Sequence, residues 1–311
     1  MLRFILKRLL MLLPVLIGIS LLIFAIMSLT PGDPARLVLG SYATEEDLNA
    51  WREEHDLNDP FFVRYFDYIG DALHGDFGNS WATNNNVLEE LSYRIPTTLK
   101  LTAGAMFLMI IIGVPVGIIS AVKQYTPMDY ITTILALILT SIPAFWLGLM
   151  LMLKFSLQLD WFPATGSDTF KHFVLPSVTL TAAIMANLLR MTRSNMLEVI
   201  RQDYIRTARA KGATENRVVF KHALRNALLP VITIIGLNFG NLMGGALITE
   251  TVFSIAGVGT LLVTAVRMKD TPQVMICILF IAAAIGLINL IVDIIYMFVD
   301  PRLKTQFLKA R

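Results

Sequence analysis

A chain of 311 residues that is 55% hydrophobic and 16% charged, with mean hydropathy +0.64, does not have the composition of a soluble domain. Net charge is only +3, and Cys277 is the single cysteine, which excludes an intrachain disulfide and a cysteine metal cluster. The apolar residues gather in runs of about twenty, the length that crosses about 30 Å of hydrocarbon at about 1.5 Å per residue.

Six spans are predicted in chain order, at roughly 9–30, 97–122, 130–159, 173–189, 226–249 and 273–299. Arg3, Lys7 and Arg8 precede the first in the manner of a signal peptide. Its apolar stretch exceeds the roughly 7–15 residues of a signal core, however, and no small-x-small site precedes Thr30, so it is read as an uncleaved span. Thr30-Pro31-Gly32-Asp33-Pro34 then stops the helix and turns the chain. Thr44-Glu45-Glu46-Asp47 opens a short amphipathic helix whose acidic first turn suits the helix dipole. The acids of this segment read equally as a solvated face and as a docking surface for an external partner. Lys154, near the outer end of the third span, reads as a snorkelling residue. The fourth span is the shortest and most polar, carrying Ser177, Thr179, Thr181 and Asn187, and intramembrane hydroxyls of this kind read as helix-to-helix hydrogen bonds.

Orientation follows from Lys/Arg distribution. Segment 31–95 carries four (Arg36, Arg52, Arg64, Arg94) against thirteen acids, whereas the amino terminus, the 190–225 loop and the tail (Arg302, Lys304, Lys309, Arg311) are basic. Six spans put the three basic regions on one side by parity. Both termini are therefore expected in the cytoplasm and 31–95 outside.

Residues 190–230 hold nine Lys/Arg (Arg190, Arg193, Arg201, Arg206, Arg209, Lys211, Arg217, Lys221, Arg225) against Glu198, Asp203 and Glu215. Ile200, Tyr204 and Ala208 recur at spacing four with Ile205 beside them, predicting a short amphipathic helix. Gly212 stops it in a left-handed or sharply turned conformation, and a second helix follows with Val218, Val219, Ala223 and Leu224 apolar. The result is a helix–turn–helix at the membrane surface. It reads either as a basic interfacial helix held by anionic lipid or as an element inserted in a partner's groove.

In the fifth span Gly236, Gly240 and Gly244 repeat at spacing four, flanked by Asn238 and Asn241. A small-residue stripe serves close helix packing, and the two Asn also admit a face lining a substrate path. Gly113 and Gly117 form a second pair, read as packing. Asp293, in the last span, must face protein or water, as a path residue or as a packing anchor. The chain has no G-x-x-x-x-G-K phosphate loop, no H-E-x-x-H and no G-x-S-x-G. His55, His74, His172 and His222 are scattered without metal-ligand spacing.

YIRTARAKGA (Tyr204 to Ala213) followed by KHALRNALLPV (Lys221 to Val231) resembles the cytoplasmic loop of binding-protein-dependent ABC importer permeases, the first permease of the peptide/nickel branch above all. Arg206, Thr207, Ala208 and Gly212 stand at the positions of that family's EAA-x-x-x-G core. PGDPARL (31–37), HGDFGNS (74–80), GGALITETVFSIAGVGTLLVTAVRMKDTP (244–272) and VDIIYMFVDPRLK (292–304) extend the resemblance over nearly the whole chain, with Ala256 and Val258 where Pro and Leu are more usual.

The resemblance implies an all-α membrane protein with the type I ABC importer (MetI-like) fold and an extracytoplasmic segment after the first helix. Its expected division is 1–96, 97–300 with the coupling loop 190–225, and a cytoplasmic tail 301–311. Tyr204, Arg206, Thr207, Ala208, Lys211 and Gly212 are expected to couple the chain to an ATPase. Gly236, Asn238, Gly240, Asn241, Gly244 and Asp293 are expected to serve the path or helix packing. Implied partners are a second similar permease, two cytoplasmic ATPases holding ATP and magnesium, an extracytoplasmic solute-binding protein and membrane lipid. The chain itself is expected to bind no cofactor, metal or nucleic acid and to catalyse nothing. The expected place is the plasma membrane of a prokaryote, and the cargo a di- or oligopeptide, with nickel chelates and glutathione as alternatives. A membrane-embedded enzyme would need clustered ionisable groups at one depth, and a secondary transporter would act as a lone chain.

Overall fold

A computed structural model describes residues 2–299; the basic residues of the tail and the predicted division at 301–311 lie outside the described residues. The architecture is all-α, with one isolated bridge between Asn79 and Asn86 among the described residues. Five helices are long and apolar enough to cross a membrane, and a bent pair makes a sixth if counted as one span. Two compact units emerge, each discontinuous in sequence.

The first unit comprises residues up to Thr98 and the segment Ala256–Gly286. Helix α1 (Leu2–Leu29) ends at the predicted stop, and Asp33 then caps α2 (Pro34–Leu39) by accepting from the Ala35 amide at 3.1 Å. Thr44 and Asp47 close a reciprocal capping box on α3 (Glu45–Glu54), as its sequence foretells. Helix α4 (Phe61–Leu73) packs Tyr65 against Phe24 of α1 and Met275 of α14 (Thr271–Val299). Ala35, Leu48 and Trp51 make a second small core, with the His55 ring stacked on Trp51 at 3.9 Å. Helix α5 (Val87–Leu108) begins here, and its buried Thr98 hydroxyl accepts the first amide of α13 (Val258–Met268), from Val258 at 2.8 Å.

The second unit holds Leu99–Ile255 and the chain from Leu287 onward. Helix α5 passes through a π-helical turn, Met109–Gly113, into α6 (Val114–Val122). The third predicted span is not one straight helix. It divides into α7 (Pro127–Ser141) and α8 (Ala144–Leu151), which continues as a π-helical segment Met152–Gln158, and the two arms meet at 102°. Pro143 supplies no amide and disfavours helical backbone at Ile142, which is extended (ψ 127°). Lys154 is exposed on the second arm and donates to Gln158 at 3.2 Å.

Helix α9 (Phe170–Ile200) corrects the fourth span from the shortest to one of 31 residues, and it is the most buried of the spans. Its hydroxyl residues mislead a hydropathy reading because Ser177, Thr179 and Thr181 are buried in protein, whereas Asn187 is exposed. Thr181 donates across to the Ala105 carbonyl at 2.7 Å, and Thr179 to its own Leu175 carbonyl at 2.9 Å. A Cβ on Gly117 would lie 2.7 Å from the Leu189 carbonyl oxygen, so α6 sits directly on the α9 backbone. After α9 come α10 (Asp203–Ala210), the single turn α11 (Glu215–Arg217), a π-helical segment Val218–Ala223 and α12 (Leu224–Val252).

Candidate functional site: the helical elbow after α9

Helix α10 hangs from the end of α9 by one anchor. Ile205 is fully buried among Met196, Val218, Val219, Ala223 and Ile118, whose burial drives the element onto the feet of α6, α9 and α12. The expected apolar face needs correction on two counts. Ile200 is the last residue of α9 rather than part of α10, and Tyr204 is 43% exposed, its hydroxyl accepting from Asn226 at 2.8 Å. Ile200 and Ala208 nevertheless pack, half-buried, against the same core as Ile205, so Tyr204 alone of the expected face turns outward.

The turn is as predicted. Gly212 has φ +80°, the Ala213 amide donates to the Ala208 carbonyl at 3.2 Å, and the Gly212 amide to Arg209 at 2.9 Å. This paired closure satisfies the last carbonyls of α10 and needs a residue free to be left-handed. Arg209 then bridges the turn to Glu215 at 2.7 Å, which holds the Glu215 carboxyl below its ordinary range. Tyr204, Arg206, Thr207, Lys211 and Gly212 are exposed and Ala208 is half-buried. Thr207 donates to the Asp203 carbonyl at 3.0 Å, and Arg206 approaches the Asp203 carboxylate at 3.8 Å with both side chains in the open.

Sequence reasoning missed the group that fixes this elbow. Asp129, 2% exposed at the start of α7, accepts two bonds from Arg193 of α9, Nε at 2.7 Å and Nη2 at 2.8 Å. It also accepts from Ser120 at 2.6 Å and from the Tyr125 amide at 3.0 Å. A forked pair of this kind is geometrically specific as well as strong. Arg193 therefore does not belong to the exposed basic surface with which it was counted. The two residues lie 64 apart, and the acid in the first turn of α7 was the only hint.

The predicted interior residues separate into packing and open positions. A Cβ on Gly236 would meet Val292 at 2.5 Å, next in sequence to the half-buried Asp293. Asn238 is buried, accepts from Asn241 at 3.2 Å, and its own amide nitrogen finds no partner. Gly240 is half-buried, Asn241 is exposed, and nothing lies within 4 Å of a Cβ on Gly244. The stripe therefore closes on α14 at one end and stands open at the other.

In the first unit, three of the quoted stretches converge. Ser80 donates to Asp270 at 2.5 Å, and the Lys269 ammonium donates to the carbonyls of Thr30 and Gly32, at 2.5 and 2.8 Å. A Cβ on Gly32 (φ +118°) would stand 3.0 Å from the Lys269 side chain, so that turn requires glycine twice over.

Comparison with known proteins places the chain in a family. Residues 113–305 match the family model of the binding-protein-dependent transport system inner membrane component, and residues 1–102 its amino-terminal companion. The dipeptide transport system permease protein DppB of Alkalihalophilus pseudofirmus is 42% identical, covering 98% of this chain and all of that protein. The oligopeptide transport system permease protein AppB of Bacillus subtilis is also 42% identical, over the same shares. The glutathione transport system permease protein GsiC of Escherichia coli strain K12 is 41% identical, covering 98% of this chain and 99% of that one. A chain of the MetNI methionine ABC transporter, solved in inward-facing conformations, shares the fold with a TM-score of 0.55 at 23% identity, over 68% of this chain and 96% of its own.

Proposed function

The chain belongs to the family of inner membrane components of binding-protein-dependent transport systems, and from that premise we propose that it is one of two permease subunits of an ATP-driven importer for di- or oligopeptides. Residues 1–96 carry the first span and an outer segment, 97–300 form the translocating part, and both termini face the cytoplasm. Two cytoplasmic ATPases hold ATP and magnesium, a solute-binding protein delivers cargo from outside, and this chain performs no chemistry of its own. The shape of the elbow carries this reading. It is a short helix with one buried anchor, a rigid left-handed turn and an outward rim of Tyr204, Arg206, Thr207, Lys211 and Gly212, borne on the most buried of the described helices of membrane-spanning length.

In this reading the rim seats in a groove of an ATPase, and closure of the ATPases on ATP pulls α10. The Asp129–Arg193 fork and the tight α6–α9 contact make α9 move with α6 and the start of α7, so the force reaches the spans as a rigid-body shift between inward and outward openings. The open end of the glycine stripe, Asn241 and Gly244, faces the path, whereas Gly236 serves packing. Gly212→Phe in the reconstituted complex tests the coupling. Peptide uptake should fall at least about tenfold while the protein inserts normally and ATP hydrolysis continues, because the left-handed φ resists a side chain by about 1–2 kcal/mol. Normal uptake by that variant sinks the assignment. The nearly equal match to a glutathione permease, 41% against 42%, keeps glutathione as a second cargo, decided by comparing uptake of a labelled dipeptide with that of glutathione.

A further inference from the structure

One cavity of the first unit takes no part in the transport reading and is independent of it. It encloses about 260 Å³ between the last turn of α1, the Gly32–Asp33 turn, Arg52, Arg64, Trp81 and Lys269. Three cations against the single carboxylate of Asp33 leave two positive charges on its wall. Arg52 is already spent: its guanidinium holds Asp33 at 2.5 Å and Asn49 at 2.6 Å. The Lys269 ammonium is aimed by two carbonyls and keeps a third N–H unused.

Arg64 is different. Its guanidinium lies over the Phe24 ring at 5.5 Å and makes no hydrogen bond or close ion pair among the described residues. Asp56 and Asp59 reach it only as distant charges. Burial depresses the pKa of both Arg64 and Lys269, the mark of cations taken from water without a full counter-charge. Five N–H donors in a fork and one ammonium N–H, converging in a small cavity, fit a multi-oxygen anion.

The place of the cavity narrows the source. Met27 and Ser28, in the last turn of a membrane span, line it, and Ile17 and Leu21, earlier on the same face of that helix as Ser28, are exposed and apolar. A cationic socket at the end of an apolar helix face matches an amphiphile with a phosphate head. We propose that this cavity seats the phosphate group of a membrane phospholipid on Arg64 and Lys269, with its acyl chains along Leu21 and Ile17 of α1.

Native mass spectrometry of the membrane-extracted complex, titrated with phosphatidylglycerol, tests this. Wild type should retain a lipid that Arg64→Gln loses with about tenfold weaker binding, at unchanged melting temperature in lipid-free detergent. Arg64→Lys, which keeps the charge and loses the fork, should fall between the two and serves if the glutamine variant folds poorly. Equal retention by wild type and both variants overturns the proposal. Saturation by millimolar inorganic phosphate with no lipid adduct on wild type overturns it as well, moving the source to the free anion.

Discussion

Two cationic regions of this molecule handle charge in opposite ways. The elbow after α9 is rich in Lys and Arg by count, yet its structurally important cations are neutralised, Arg193 by Asp129 and Arg209 by Glu215. The 31–95 segment is acidic by count, yet it contributes two of the three cations of a cavity with a surplus of positive charge. Linear charge density therefore says which side of a membrane a segment takes. It does not say where an unneutralised charge sits, because partners come from 64 residues away at Arg193 and from the far end of the chain at Lys269.

The contrast is broken most directly at Asp129. Asp129→Ala leaves the Arg193 guanidinium facing a vacated pocket and should destabilise the second unit by about 3 kcal/mol, the low end for a buried pair because Arg193 keeps some solvent. Thermal unfolding of the detergent-solubilised chain measures it, and a loss under about 1 kcal/mol would mean the fork is ornamental. Gly117→Ala comes next. Its Cβ meets a backbone oxygen at 2.7 Å, so α6 must retreat from α9 at a cost of about 1–3 kcal/mol, whereas Gly244→Ala meets nothing and should leave melting unchanged. Equal melting of the two variants would contradict the described helix contact.

The smallest effect belongs to the exposed pair. Arg209 depresses the Glu215 pKa below its ordinary 4.5, so the pair's contribution is present above that value and is lost as pH falls through the folded-state value. Solvent screens both side chains, so Glu215→Gln should cost a few tenths of a kcal/mol at neutral pH and nothing in acid. An effect that grows in acid would reverse the assigned sign.

What the sequence disclosed is local. Pro31 and Pro34 mark the stop of α1, Thr44 and Asp47 the box on α3, and Gly212 the left-handed turn, because each follows from backbone chemistry within a few residues. Long-range pairing was not legible. Nothing near Arg193 announces Asp129, and Ser177 and Thr179 depress hydropathy in the very helix that is most enclosed. The break at Ile142–Pro143 lies between: a residue ahead of proline is disfavoured in a helix, but an apolar run of span length masked the signal. At the elbow, periodicity gave a helix and most of its packed face, and erred at its first residue and at Tyr204.

That break has a consequence for biogenesis. A nascent chain presents 130–159 as one hydrophobic stretch long enough to enter the bilayer whole, while α9, the helix against which both arms pack, is still unmade. Pro143 sets the break locally, and the packing of both arms on α9 holds the corner at 102°. A nascent chain arrested before Phe170 should keep the break at Pro143 without the helix that holds its angle, and glycosylation mapping should find its far end at more than one depth.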